Sequence, residues 1–356
     1  MINTFSVTLD PWSHLLKVLS SVKYNKYEPF YIINTEYKSF GQTSAGIDVD
    51  ILIPRALSAE RGLLTCPIIV RIHGGFLITG SSLYPPWFSN WILDYATQNG
   101  AIIVSPNYRL LPEAIGEDIL EDIYDFWTWL QGDSLSHAVK DAGYPHIKPA
   151  TDKTLIVGES AGGYLAMQLA LTYPSEIRAV IGAYPILDPK ARFYTEAYQK
   201  PILRVPNMSN DIIEQHVASL RASQPGRIVT AAESPERLKL AFAVFQNGRL
   251  LEFLGSQNPE LFPIERVERL AAVGRLKLPP LFIFHGEQDS AVPSAGTRRF
   301  AELLHEKGNA GQVSMYIQNG DHGFDFDATL QTPWLRKGLE MISKAWMGSN
   351  HGTLHL

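Results

Sequence analysis

Thr154-Leu155-Ile156-Val157-Gly158-Glu159-Ser160-Ala161-Gly162-Gly163 is the stretch that decides the fold. A short apolar, partly β-branched run predicts a buried strand, and the residues after Ser160 predict a helix. Between them Gly158, Ser160 and Gly162 form a Gly-x-Ser-x-Gly pattern. A turn sharp enough to join strand to helix there leaves no room for side chains at the flanking positions, which glycine supplies. It also holds the serine in a strained conformation with its hydroxyl presented at the carboxyl edge of the sheet. The bare pattern is common; its strand-turn-helix setting gives it weight.

A serine so placed needs a base and an acid to orient that base. Leu281-Phe282-Ile283-Phe284 reads as a strand running into His285-Gly286-Glu287-Gln288-Asp289. Val313-Ser314-Met315-Tyr316-Ile317 reads as the next strand, leading into Asn319-Gly320-Asp321-His322-Gly323-Phe324. Ser160, Asp289 and His322 thus each follow a predicted strand, where catalytic loops gather in open α/β sheets. Their order is the one a Ser…Asp…His triad takes in an α/β-hydrolase. Glu287 is the alternative acid, although a carboxylate further along the loop reaches an imidazole more easily. Asp321 adjoins His322 and is expected to cap the turn. His285 is expected to satisfy a buried hydrogen bond.

A fourth element precedes these. Ile68-Ile69-Val70-Arg71-Ile72 reads as a buried strand, followed by His73-Gly74-Gly75-Phe76-Leu77-Ile78-Thr79-Gly80. Successive glycines let backbone N–H groups turn inward on a substrate carbonyl. Gly74, Gly75, Phe76 and Ala161 are the candidate oxyanion-hole residues, with the N–H groups of Gly75, Phe76 and Ala161 as donors. Leu77 and Trp87 adjoin this loop and, with Tyr164 just past the serine, are the candidate substrate-binding residues.

Together His73-Gly74-Gly75, Asn107-Tyr108-Arg109-Leu110-Leu111-Pro112-Glu113, Gly158-Glu159-Ser160-Ala161-Gly162-Gly163, Asp289 and His322-Gly323-Phe324 span most of the chain. On these residues the sequence resembles the hormone-sensitive-lipase-like, or family IV, α/β-hydrolases. Three positions depart from that pattern: Phe76 replaces a third glycine, Asn107 and Leu111 replace aspartate and alanine, and Tyr164 replaces asparagine. The segment Tyr84-Pro85-Pro86-Trp87 also resembles fungal hydrolases of secondary-metabolite pathways. The resemblance implies a serine esterase acting on a small-molecule ester, without cofactor or metal. A non-hydrolytic or carbon–carbon-cleaving enzyme, an acyltransferase and a ligand receptor are alternatives on the same scaffold.

At 356 residues with 45% hydrophobic content, one α/β domain carrying an insertion is expected. A net charge of -5 and the absence of basic runs argue against a nucleic-acid partner or an anionic membrane surface. Cys66 is the only cysteine, so neither an intramolecular disulfide nor a cysteine-rich metal site is available. The first twenty residues lack a secretory pattern, and residues 352–356 match no lipidation or retention signal. A cytoplasmic protein, with a homodimer as an open option, is the resulting expectation.

A leading hairpin is predicted over 30–37 and 47–53. Strands at 68–73, 101–106, 154–157 and 179–184 alternate with helices at 86–99, 113–131 and 160–173, a rhythm that implies a parallel sheet. The rhythm breaks after Asp188 and resumes at Leu278, with a helix at 294–307 and a closing helix from Pro333. The expectation is a core of residues 1–188 and 275–356 with a helical cap over 189–274. Helix-like stretches lie near 210–223, 235–246 and 259–272. Residues 1–30, with an amphipathic run from Trp12 to Leu19, are expected on the cap side.

Overall fold

The apolar runs become a twisted eight-stranded sheet in a computed structural model, which describes residues 10–348 except 42–45, 59, 61 and 223–226. The strands are β1 (Phe30–Ser39), β2 (Gly46–Pro54), β3 (Leu64–Ile72), β4 (Ile102–Pro106), β5 (Ile147–Glu159), β6 (Ala179–Ala183), β7 (Leu281–Gly286) and β8 (Val313–Gln318). Their order is β1-β2-β4-β3-β5-β6-β7-β8. β1 pairs with β2, and β2 with β4, antiparallel; every later pairing is parallel. This is the mostly parallel α/β-hydrolase architecture expected from the sequence.

Burial on both faces explains why the central strands read as unbroken apolar runs rather than alternating ones. Ile68, Val70, Ile72, Ile156, Val180, Leu281 and Ile283 join the core on one side. Ile69, Leu155, Val157, Ile181, Phe282 and Phe284 join the core on the other. Helices Gly116–Gln131, Ala161–Thr172 and Ser294–Glu306 supply the first side; Asn90–Gln98 and Pro333–Met347 supply the second. β5 is longer than the 154–157 run because Ile147–Ala150 also pairs, opposite Leu64–Pro67, before a register shift. Helix Ser134–Asp141, with Leu135 and Val139 buried, is an element the sequence reading did not assign.

Between β6 and β7 the described residues form helices Arg192–Thr195, Asp211–Ala222, Leu238–Gln246, Leu250–Leu254 and Pro263–Ala272. Ser223, the expected end of one of them, lies outside the described residues, as do residues 1–9 and 352–356. The N-terminal helix Pro11–Ser21 starts at Asp10, whose carboxylate accepts from the N–H groups of Trp12 and Ser13 at 3.1 Å. Its Trp12 ring meets Phe242 edge-on at 5.9 Å, so this helix packs on helix Leu238–Gln246. Among the described residues no helix is long and apolar enough to cross a membrane.

Candidate active site

The parallel register lines up the carboxyl ends of β5, β6, β7 and β8, and the candidate residues emerge from them. Ser160 follows β5 with φ 56° and ψ −117°, a left-handed strained conformation for a non-glycine residue. A Cβ on Gly158 would lie 2.2 Å from the Gly162 carbonyl oxygen, and one on Gly162 would lie 2.0 Å from that of Ile72. The tight turn therefore depends on both glycines. The Ser160 N–H donates to the Ala183 carbonyl at the end of β6 (2.8 Å), which fixes the elbow to its neighbour.

Asp289, on the loop after β7, is buried at 7% exposure. Its Oδ1 accepts from the N–H groups of Ala291 (2.9 Å) and Val292 (2.7 Å). Its Oδ2 lies 2.8 Å from His322 Nδ1 and 3.3 Å from His285 Nε2. Burial alone would raise the carboxyl's pKa. The charge on His322 and the hydrogen bonds from His285 and His322 outweigh it, holding Asp289 well below the usual carboxylate range. His322 answers in kind: burial disfavours its cation, but the Asp289 charge and hydrogen bond, followed by Asp321, raise its pKa above the ordinary 6.5. An Nδ1–H donated to Asp289 leaves Nε2 as the base. The imidazole also packs edge-on against Tyr184, centroids 4.5 Å apart, and Tyr184 itself follows β6 beside the elbow. Ser160 Oγ makes no hydrogen bond to His322 among the described residues, a common condition before substrate binds.

The neighbouring polar residues take other tasks. Glu287 pairs with Arg298 at the surface, away from the imidazole. Asp321 accepts from Ser290 N and Oγ at 2.8 Å and from His322 N at 2.7 Å, capping the turn. His285 is fully buried, its Nε2 2.7 Å from the Val292 carbonyl and its Nδ1 2.9 Å from the Thr297 hydroxyl.

The Gly74–Phe76 loop lies directly against the elbow: a Cβ on Gly74 would stand 3.1 Å from Ser160 Cβ. Gly75 has φ 112°, and a Cβ there would reach 1.8 Å from the Thr79 carbonyl oxygen. The Gly75 carbonyl accepts from Ile78 and Thr79 at 2.9 Å, closing the turn while the N–H groups of Gly75, Phe76 and Ala161 make no bond among the described residues. Phe76 and Leu77 both have positive φ (64° and 61°) and are buried. The Phe76 ring packs edge-on against Phe242 (5.6 Å) and Phe245 (4.7 Å) of helix Leu238–Gln246. The departure from a third glycine thus plugs the loop into the insertion.

Trp87 lies against the same turn, its ring 3.1 Å from where a Gly75 Cβ would sit. Leu77 is held by its carbonyl, which accepts from the Leu111 N–H (2.8 Å). Tyr164 is 1% exposed and donates its hydroxyl to the Leu261 carbonyl (2.9 Å), bracing the insertion.

Arg109 pairs with Asp118, Glu121 and Asp122 of helix Gly116–Gln131. Glu113 receives a two-pronged pair from Arg237 (2.8 and 2.6 Å). Arg237 further donates to the carbonyls of Ile78 (2.8 Å) and Leu111 (2.5 Å). Nothing in the sequence signalled this: partner and guanidinium are 124 positions apart. Also unforeseen is a buried polar group behind the elbow, in which Arg71 pairs with Glu159 and Ser89 touches both Glu159 and Asp325. Among the described residues no cluster of three or more His, Cys, Asp or Glu is arranged to hold a metal ion.

A serine in a strained elbow, an acid–imidazole pair beside it and a glycine turn with free N–H groups define the serine α/β-hydrolase class. Residues 69–245 match the family described as alpha/beta hydrolase fold. A probable carboxylesterase, M8, from Phoma sp. is 32% identical, covering 83% of this chain and 91% of that protein. The chain belongs to the α/β-hydrolase fold family and is a carboxylic ester hydrolase. A segment of the non-reducing polyketide synthase ascC from Acremonium egyptiacum is 26% identical, covering 85% of this chain and 14% of the synthase. The solved structure of inhibited esterase B from Lactobacillus rhamnosis shares the fold, with TM-score 0.58 and 18% identity over 95% of this chain and 94% of that one.

Proposed function

We propose that Ser160, Asp289 and His322 carry out ester hydrolysis through an acyl-enzyme, with an oxyanion hole formed by the Gly74–Phe76 turn and Ala161. The observation that carries this reading is the 2.8 Å Asp289–His322 contact at the same sheet edge as the left-handed Ser160. His322 Nε2 takes the Ser160 proton as Oγ attacks the ester carbonyl. The N–H groups of Gly75, Phe76 and Ala161 receive the developing oxyanion, each worth about 3–4 kcal/mol in the transition state. His322 then protonates the leaving alcohol, and water repeats the cycle on the acyl-enzyme.

Phe76, Leu77, Phe242 and Phe245 are buried apolar groups around the turn, which supports a small or medium-sized, largely apolar substrate. The segment 189–274 serves as a cap over the carboxyl edge. The likeness to a fungal carboxylesterase and to a segment of a polyketide synthase supports a natural ester of polyketide type. The synthase likeness also favours a second reading, in which an alcohol other than water accepts the acyl group. Hydrolysis of a p-nitrophenyl ester series, acetate to decanoate, by wild type and Ser160→Ala tests the first reading. Turnover that survives in the variant removes it; a transesterified product exceeding free acid when an alcohol is added favours the second.

A further inference from the structure

Asp325, three residues past His322, is fully buried, and among the described residues no cation is bonded to it. Its Oδ2 meets the Trp91 indole N–H and the Ser89 hydroxyl, each at 2.8 Å. Its Oδ1 is buried without a hydrogen-bond partner among the described residues. The same Ser89 hydroxyl lies 3.0 Å from Glu159 Oε1, next to the nucleophile. Glu159 has a counter-ion of its own, Arg71, at 2.5 Å, and also accepts from the Ser89 N–H.

Proton counting decides what this arrangement is. A serine hydroxyl carries one hydrogen and can donate to only one acceptor. Two ionised carboxylates on either side of it would leave one oxygen pair facing with no proton between, in a site closed to water. Oδ1 would worsen that: no group meets it at hydrogen-bond geometry among the described residues, the Tyr184 hydroxyl offers the carboxyl only a looser interaction, and an ionised oxygen so poorly served costs far more than a neutral carbonyl. If Asp325 keeps its proton on Oδ2, every contact is satisfied in one direction. Asp325 donates to Ser89, Ser89 donates to Glu159, and Arg71 neutralises Glu159, while Oδ2 still accepts from Trp91.

We propose that Asp325 is a neutral carboxylic acid donating through Ser89 to Glu159, and that this chain of hydrogen bonds positions the His322 loop against the nucleophile strand. Asp325 is a positioning residue in this scheme; it touches neither substrate nor reacting atoms. The role rests on the reading of His322 as the base. The groups that face Asp325 are Glu159 after β5, backed by Arg71 from β3, Tyr184 after β6, and His322 on its own loop, beyond which lie Asp289 and Asp321. Burial and then the neighbouring Glu159 charge both push the Asp325 carboxyl upward, in agreement with the proton count. An ionised Asp325 would put a further negative charge near His322 and push its pKa further upward, against its task as a base.

The test combines a spectroscopic and a kinetic readout on the intact enzyme. The infrared difference between wild type and Asp325→Asn at pH 7 should contain the C=O stretch of one protonated carboxyl group. Asp325→Ala should lower kcat roughly tenfold to a hundredfold with KM little changed, as a displaced base does. Asp325→Asn, which fills the site and whose amide N–H can donate to Ser89 in place of the acid proton, should recover part of that loss and leave the acid limb of kcat/KM in place. Absence of the infrared band, or an acid limb that drops by about a full pH unit in Asp325→Asn, means that Asp325 is ionised and overturns the proposal. Wild-type kcat in Asp325→Ala overturns the positioning role, and if that variant does not fold, the asparagine variant and the infrared band still decide. His322→Gln run alongside separates the two claims: turnover retained there removes His322 as base, whatever Asp325 does.

Discussion

Arg237→Met removes the guanidinium that ties the insertion to the oxyanion turn. The pair it breaks is enclosed, with side-chain exposures of 7% for Arg237 and 2% for Glu113. Removing one partner strands the other, and for buried pairs this costs about 3–5 kcal/mol. Glu113 would keep only His216, whose Nε2 is 3.2 Å away. With an unfolding entropy of about 2.1 cal/mol/K per residue over 356 residues, that loss lowers Tm by about 4–7 °C. Glu113→Gln should cost less, because Arg237 retains the carbonyls of Ile78 and Leu111 and gains an amide oxygen. The double variant buries no unpaired charge and should be more stable than the sum of the two singles implies.

A pH dependence follows from the same pair. Burial pushes the Glu113 carboxyl up, but the hydrogen bonds from His216 and Arg237 outweigh this and hold it down to about 2. A carboxyl depressed in the folded state contributes its full stability above its unfolded value, about 4.3, and loses it as pH falls toward 2. The Tm gap between wild type and Arg237→Met should therefore be widest above pH 5 and narrow below pH 4. Differential scanning calorimetry from pH 3 to 8 measures all of this. A Tm change under about 1 °C for Arg237→Met, or strict additivity in the double variant, would refute the reasoning.

Three further outcomes are expected. The acid limb of kcat/KM should have its midpoint above 6.5, because the Asp289 charge and hydrogen bond, with Asp321 behind them, raise His322 and only its neutral form accepts the serine proton; a midpoint below 6 contradicts this charge balance. Asp289→Asn should lower kcat by about 10⁴, as loss of the orienting acid does elsewhere, whereas Glu287→Gln should leave it intact; steady-state kinetics of the two variants would expose a wrong acid if the effects were reversed. Gly75→Ala should lose at least 10²-fold in kcat, since the added methyl would collide with the Thr79 carbonyl and the new residue would be strained at φ 112°; unchanged turnover would separate this turn from the oxyanion.

The elements that could be read from the chain are those whose signals are local. β3, β4, β5, β6 and β7 show themselves because both faces are buried, which demands contiguous apolar residues such as Ile68-Ile69-Val70. The elbow and the two later loops were legible because each follows such a run. Helix Ser134–Asp141 escaped because it buries only two side chains. The long-range polar partners escaped for a different reason. Arg237 meets Glu113 across 124 positions and Ser89 meets Asp325 across 236, and a charged residue's sequence neighbours say nothing of a partner supplied by another segment.

The seating of Phe76 between Phe242 and Phe245 makes the insertion and the oxyanion turn a single mechanical latch. The residue proposed to donate a backbone N–H to the oxyanion is the one whose ring is gripped by the overlying helix. A change in the seating of that helix would therefore reach the oxyanion turn through one aromatic side chain, so substitutions at Phe242 or Phe245 bear on the geometry of the turn as well as on the packing of the insertion.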